Sequence, residues 1–212
     1  MGKDSETSKD VSRRDFLKST AGAAIATGAV LGIGITKNNA YAKEEMPKTW
    51  DESYDVVIIG SGFAGLAAAI EAKIAGANVI VIEKMPMHGG NSIINGGDFS
   101  ASGTKMQKDA GVQDSPELML KDMLKAGLYI NNPELAKIVA YGSKDAIEWC
   151  ENYIGAKFAR LNFHGGHSVK RAHQTINASG SELVNKMLAK AKGLGVNIQT
   201  RTKLERFISN EN

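Results

Sequence analysis

The middle of the chain alternates between short β-branched runs and a longer stretch of helix-forming residues. Residues 54–59 form the first run, which is typical of a buried strand in a parallel sheet. Helix-forming residues follow at 66–75, and Gly76 is placed to end that helix. A second β-branched run, residues 78–83, predicts another strand. The pattern therefore predicts a β-turn-α-β unit and an α/β fold.

The turn between the first strand and the helix is rich in glycine and suits a phosphate. Gly60 allows a tight turn, Gly62 lets a pyrophosphate approach the backbone, and Gly65 lets the helix pack closely on the strand. The helix N-terminus favours negative charge. Glu83 ends the second strand, where a carboxylate accepts hydrogen bonds from a ribose diol and disfavours a 2′-phosphate. The unit therefore predicts FAD or NAD rather than NADP.

A second glycine-rich segment, residues 89–97, follows the unit and contains two Gly-Gly pairs around Asn91 and Ser92. Glycine pairs allow the backbone to approach a flat ring or a pyrophosphate closely. The composition alone is also compatible with a flexible surface loop. A cofactor-lining loop at this point is typical of flavoproteins with an extended FAD, so the segment favours FAD over NAD.

The rest of the chain carries further helical and strand patterns. Ser115 and Pro116 form a helix start, with Ser as N-cap and Pro in the first turn. Cys150 is predicted to be a small core residue. The remaining periodic segments predict four helices, at 117–126, 133–140, 143–153 and 181–192, and a strand at 196–200.

The N-terminal segment has the order of an export signal. Twin arginines, Arg13 and Arg14, precede an uncharged stretch at 21–35, which is shorter than the about 20 residues of a membrane span. An Ala-x-Ala pattern ends at Ala42. The segment resembles the twin-arginine (Tat) signal of bacteria; the alternatives are a basic frayed terminus and a single membrane anchor. We expect use of the Tat machinery, cleavage after Ala42 and a periplasmic location.

Charge and cysteine content exclude several classes of protein. The chain of 212 residues has 26 Lys and Arg against 23 Asp and Glu, and a net charge of +3. This bias is too small to predict nucleic acid as a partner. One cysteine excludes a disulfide framework and any Cys-x-x-Cys site. No metal site is predicted.

Residues 54–100 resemble the flavin domain of the soluble fumarate reductases and flavocytochromes c, within the succinate dehydrogenase/fumarate reductase flavoprotein superfamily. The resemblance continues through five later segments: 114–119, 130–135, 143–149, 165–173 and 195–198. It implies a Rossmann-like FAD-binding domain, with a parallel sheet and flanking helices, that is incomplete at its C-terminus. The expected organisation is a signal peptide at 1–42, a linker at 43–53 and the N-terminal part of the FAD-binding domain at 54–212.

The resemblance also implies roles for individual residues. It assigns the adenosine ribose to Glu83, and it gives the segment 165–173 a structural or flavin-adjacent role. It assigns the FAD pyrophosphate to Gly60, Gly62, Ala64 and Gly65, and the rest of the FAD to Asn91, Ser92, Gly96 and Gly97.

The activity that the resemblance implies is reduction of the activated C=C bond of an unsaturated carboxylate by hydride transfer from reduced FAD. Its catalytic residues are expected beyond residue 212, where residues 201–212 would lead into a further sheet. A separate c-type cytochrome is the expected electron donor. The alternatives are a non-catalytic or truncated FAD-binding module that needs a partner polypeptide, and an NAD-dependent Rossmann enzyme.

Overall fold

Two three-stranded sheets and six helices organise residues 47–208, the part of the chain that the computed structural model describes. The predicted signal peptide at 1–42, the first residues of the linker and residues 209–212 lie outside the described residues. The elements are β1 (Val56–Ile59), α1 (Phe63–Ile74), β2 (Val79–Ile82), α2 (Asn91–Ile94), β3 (Asp98–Ser100), α3 (Lys105–Asp109), α4 (Pro116–Ala126), α5 (Pro133–Asn152), β4 (Phe158–Asn162), β5 (Ala172–Thr175), α6 (Gly180–Gly193) and β6 (Asn197–Gln199).

The first sheet is parallel, and β2 lies between β1 and β6. This sheet confirms the predicted β-α-β unit and the α/β fold class. The β-branched run predicts that β1 is a buried strand, but only one of its faces is covered. Val57 and Ile59 are 53% and 51% exposed, whereas Val81 of β2 is fully buried.

The core lies where α1 and α6 pack beside the parallel sheet. On α1, Leu66, Ala69 and Ile70 recur at the helical spacing of three and four residues, and all three are fully buried. They join Val81 of the sheet and Val184 of α6 in one apolar cluster. Burying side chains of this size stabilises the fold by about 1.5–3 kcal/mol each.

The second sheet is antiparallel, in the order β3-β5-β4, and the hydrophobic pattern did not predict it. Its strands have only three to five residues. Several of their buried positions are polar, such as His173 and Thr175. Phe99 and Phe158 pack edge to face across the sheet with ring centroids 6.2 Å apart. This sheet therefore has few apolar contacts between its strands, and the Phe99–Phe158 pair is one of them.

The structure confirms the predicted N-cap of α4, but it does not contain the break predicted between residues 140 and 143. The Ser115 hydroxyl accepts a hydrogen bond from the Leu118 N–H and begins α4 as predicted. The two helices predicted at 133–140 and 143–153 are one helix of 20 residues, α5. A glycine inside a helix costs only about 1 kcal/mol, so Gly142 does not end it. None of the helices in the described range is long and apolar enough to cross a membrane.

Cys150 lies on the buried face of α5, as predicted for a small core residue. Burial, followed by the nearby charge of Glu151, raises the pKa of its thiol to about 11. A thiol with this pKa is almost entirely protonated at neutral pH, and the thiolate is the reactive form. Cys150 is therefore a packing residue.

A buried charge network connects the start of β5 with α4. Arg171 is fully buried, and its Nε and Nη2 donate to Asp114 at 3.0 and 2.9 Å. Its Nη1 lies 2.9 Å from Asp122, which also accepts hydrogen bonds from Ser168. Burial alone raises the pKa of Asp122, but the hydrogen bonds from Ser168 and the Arg171 charge outweigh it and lower the pKa. The buried charge of Arg171 is thus compensated by two carboxylates from other parts of the fold.

We predict that R171M destabilises the protein by about 3–5 kcal/mol, because it leaves two buried carboxylates without their counter-charge. Urea unfolding at neutral pH measures the change. The matched control is R160M, at an exposed arginine of β4, with an expected change within about 0.5 kcal/mol. Equal effects of the two substitutions would contradict the prediction.

The difference in the free energy of unfolding between wild type and R171M should also depend on pH. Because the folded-state pKa of Asp122 is lowered, its contribution is present at neutral pH and is lost as the pH falls through that pKa. The stability gap between wild type and R171M should therefore narrow on acidification.

Candidate functional site

The turn from β1 into α1 contains three glycines, and each is constrained by a different feature of the backbone or its neighbours. Gly60 has a φ of +97°, and its N–H donates to the Ile82 carbonyl at 2.8 Å. A Cβ on Gly65 would overlap the carbonyl oxygen of Gly60. A Cβ on Gly62 would lie 3.2 Å from the Ser92 hydroxyl. The helix therefore begins directly against the end of the strand, and its first turn is open to a ligand.

The N-terminus of α1 carries the positive end of the helix dipole, and no acidic residue lies in its first turn. Gly62 is the N-cap, so no side chain caps the helix from that position. The Phe63 N–H donates to the Ser92 hydroxyl at 3.1 Å. Free N–H groups and the helix dipole favour an anion at this end.

Glu83 follows β2 directly and is 6% exposed. Its Oε2 accepts hydrogen bonds from the N–H and the hydroxyl of Ser61, at 3.0 and 2.7 Å, and its Oε1 accepts from the Met85 N–H at 2.9 Å. Burial raises the pKa of Glu83, but the hydrogen bonds from Met85 and Ser61 and the nearby His88 outweigh it, so the pKa is lowered. Glu83 is a carboxylate at neutral pH.

The second glycine-rich segment is folded rather than a free loop. Residues Asn91–Ile94 form the short helix α2. Gly97 is buried, has a φ of +72° and accepts a hydrogen bond from the Thr175 N–H at 2.9 Å. A Cβ on Gly97 would overlap the Thr175 hydroxyl, so this glycine allows close packing on β5.

A cleft of about 560 Å³ lies at the carboxyl ends of β1 and β2. Five of the nine predicted site residues line it: Gly60, Gly62, Glu83, Asn91 and Ser92. The other four lie outside its lining: Gly65 is packed beneath the turn, Ala64 is exposed on α1, Gly96 is exposed, and Gly97 faces β5.

Part of the cleft lining was not predicted from the sequence. Residues 201–212 were expected to lead into a further sheet, but the described part of this segment, residues 201–208, has no regular structure. They return along the end of β2, where the Thr202 N–H donates to the Glu83 carbonyl at 2.9 Å. Thr202, Lys203 and Leu204 line the cleft together with Lys84. No local sequence pattern marks this return of the chain, so Lys203 could not be predicted to lie at the cleft with Lys84.

Similarity to known proteins covers almost the whole chain. Residues 55–212 match the FAD binding domain family, and residues 10–30 match the TAT (twin-arginine translocation) pathway signal sequence. The chain belongs to this family of FAD-binding domains. Its cofactor is FAD, and its Tat signal indicates export.

Two of the similar proteins are reductases. The chain is 40% identical to the acrylate reductase flavoprotein subunit of Shewanella woodyi over 200 residues, which is 94% of this chain and 38% of that protein. It is 39% identical over 146 residues to the fumarate reductase (cytochrome) of Shewanella frigidimarina, covering 69% of this chain and 25% of that protein. The chain thus spans less than half the length of both relatives.

The fold is also similar to a solved structure of the same group. The open conformation of a flavocytochrome c3 fumarate reductase matches with a TM-score of 0.66 and 33% identity, covering 76% of this chain and 32% of that chain.

The cleft fits the cofactor that the family binds. Gly62 faces the cleft without a side chain, and the open N-terminus of α1 offers N–H groups to a phosphate. Lys84 and Lys203 add positive charge at the lining, and Glu83 is an ionised acceptor for a neutral hydroxyl. Among residues 47–208 there is no group of three or more His, Cys, Asp or Glu side chains arranged to hold a metal ion.

We predict that G65A lowers stability by about 1–3 kcal/mol, because its Cβ forces the helix away from the Gly60 carbonyl. The same shift should abolish FAD retention. Urea unfolding and the flavin absorbance of the purified protein measure the two effects. The matched control is G142A in α5, where a Cβ meets open space; it should be stabilising by about 0.5–1 kcal/mol and keep FAD. Retention of FAD by G65A at wild-type stability would contradict the prediction.

Proposed function

We propose that the chain is the flavin-binding part of an exported reductase that reduces the activated C=C bond of an unsaturated carboxylate. The observation that carries the proposal is continuous similarity to the acrylate reductase flavoprotein subunit over 94% of this chain. The cleft at the ends of β1 and β2 supports it, because its glycines, helix terminus and carboxylate suit a dinucleotide.

Some of the predicted residues would bind FAD directly, and others would position the segments that bind it. The turn at Gly60 and Gly62 and the N-terminus of α1 bind the pyrophosphate, while Ala64 and Gly65 allow the helix to start close to it. Glu83 binds the adenosine ribose. A carboxylate has about four acceptor positions, and the described hydrogen bonds use three of them. Asn91, Ser92, Gly96 and Gly97 line the remainder of the cofactor, Gly97 by fixing the segment on β5.

Bound FAD supplies hydride-transfer chemistry, and the residues of this chain hold and orient the cofactor. None of the described residues is assigned as the proton donor or the substrate-binding group. The proposal places those groups beyond residue 212, in the portion of the relatives that the chain does not match. Cationic groups that stabilise the charge developing on the substrate carboxylate belong to the same portion.

The proposed setting is the bacterial periplasm, with residues 1–42 removed after Ala42, residues 43–53 as a linker and residues 54–212 as part of the FAD-binding domain. The Tat match supports the export step. A separate c-type cytochrome is the proposed electron donor, by analogy with the fumarate reductase (cytochrome) relative.

A second candidate function is a non-catalytic FAD-binding module that needs a partner polypeptide. The uncovered side of β1 favours it. Within the described residues β1 pairs only with β2, and Val57 and Ile59 are half exposed on one face. Parallel strands are normally buried on both faces and paired on both edges when they lie in the middle of a sheet. A further polypeptide would cover this side.

A reductase assay tests the two candidates together. The FAD-loaded full chain is mixed with reduced methyl viologen and either acrylate or fumarate, and oxidation of the viologen is followed. We expect turnover only when a polypeptide corresponding to the unmatched remainder of the acrylate reductase subunit is added.

The matched control in this assay is G65A, which should remain inactive with the added polypeptide because it retains no FAD. Turnover by the chain alone would contradict the partner-dependent candidate. Absence of turnover with the partner bound and FAD retained would contradict the reductase proposal.

A further inference from the structure

Ser61 occupies the position between Gly60 and Gly62, for which the glycine pattern requires no particular side chain. In the structure its side chain is fully buried. Its hydroxyl donates to Glu83 Oε2 at 2.7 Å and accepts from the Gly89 N–H at 3.0 Å. Its own N–H donates to the same Oε2 at 3.0 Å. One small residue therefore contacts two other segments of the cleft.

We propose that Ser61 is a positioning residue that holds the phosphate-binding turn, the end of β2 and the segment 84–90 in register around the FAD cleft. The inference rests on the proposed FAD site, because the three segments it joins all contribute residues to the cleft lining. Ser61 follows β1, whereas Glu83 and Gly89 follow β2. In the sequence they lie 22 and 28 residues after Ser61. Backbone pairing of β1 with β2 fixes the strands but not the loops that follow them.

The hydroxyl also sets which oxygen of Glu83 remains open to a ligand. Both hydrogen bonds from Ser61 go to Oε2, whereas Oε1 accepts one described hydrogen bond, from the Met85 N–H. A carboxylate oxygen accepts about two hydrogen bonds. Oε1 therefore keeps acceptor capacity for a hydroxyl of the cofactor, and Ser61 fixes the orientation of the carboxylate that provides it.

The protonation of Glu83, and with it FAD binding, should respond to acid differently in wild type and in a variant without the Ser61 hydroxyl. His88 faces Glu83, and Lys192 of α6 faces His88. Burial, and then the Lys192 charge, lower the pKa of His88. Loss of the Ser61 hydroxyl removes one donor to Glu83 and raises the Glu83 pKa. Glu83 then becomes protonated at a higher pH as acid is added, and FAD binding by the variant fails at a higher pH than in wild type.

The first arm of the test needs no cofactor. Amide hydrogen exchange is measured on the full chain without FAD, for wild type, S61A and S102A. Ser102 is the matched control, because it is 1% exposed and its hydroxyl has no partner among the described residues. We expect faster exchange of residues 84–93 in S61A, where the Gly89 N–H loses its acceptor, and no change there in S102A. Equal exchange in all three proteins overturns the proposal.

The second arm measures FAD affinity by titration for wild type, S61A, E83Q and the double variant. We expect about ten- to hundred-fold weaker binding by S61A, the range for loss of a hydrogen bond to a charged group. Because Ser61 acts through Glu83, S61A should have an effect of about twofold or less in the E83Q background. Additive effects, or an unchanged pH profile of FAD binding in S61A, overturn the proposal.

Two further observations distinguish a positioning role of Ser61 from a loss of folding or of FAD binding. S61C keeps the size of the side chain and weakens its hydrogen bonds, so it should resemble S61A while remaining folded. If S61A and S61C both unfold while S102A stays folded, Ser61 is a folding determinant and the positioning role is overturned. If wild type retains no FAD, the proposed function fails, and the exchange arm still decides whether Ser61 holds the three segments.

Discussion

The close approach of α1 to the end of β1 is the constraint on which the site depends. Gly65 lies so near the Gly60 carbonyl that a side chain at 65 would overlap it. This contact aims the first turn of α1 at the carboxyl edge of the parallel sheet, where the lining of the cleft begins. The apolar face of α1, around Leu66 and Ile70, holds the helix there by packing on the sheet and on α6. Core packing and ligand geometry are therefore set by the same helix.

Polar contacts complete what the core packing begins. Ser61 and Glu83 connect the loops that follow β1 and β2, and the Thr175–Gly97 contact connects the second glycine-rich segment to β5. Both sets of contacts are buried, and those to the Glu83 carboxylate are also hydrogen bonds to a charged group, which are the stronger kind. The fold thus positions the cleft through an apolar layer beneath it and a small number of buried polar residues along its walls.

The sequence was sufficient where the determining interactions are local. The β-α-β unit, the Ser115 cap and the buried position of Cys150 follow from periodicity and capping within about one or two helical turns. It was insufficient where distant segments meet. Arg171 and Asp114 are 57 residues apart, and only the fold makes them partners. The antiparallel sheet and the return of residues 201–208 also depend on long-range contacts. The two helices predicted at 133–140 and 143–153 are one helix, α5. The role of Ser61 was hidden because the glycine pattern leaves its position unspecified.

The central claim is that residues of this chain form a cleft that binds FAD. The most direct measurement is the visible spectrum of the purified full chain after FAD has been added and the excess removed. We predict that the flavin absorbance corresponds to about one FAD per chain and that its maxima are shifted from those of free FAD. A folded, soluble chain that retains no flavin would contradict the account.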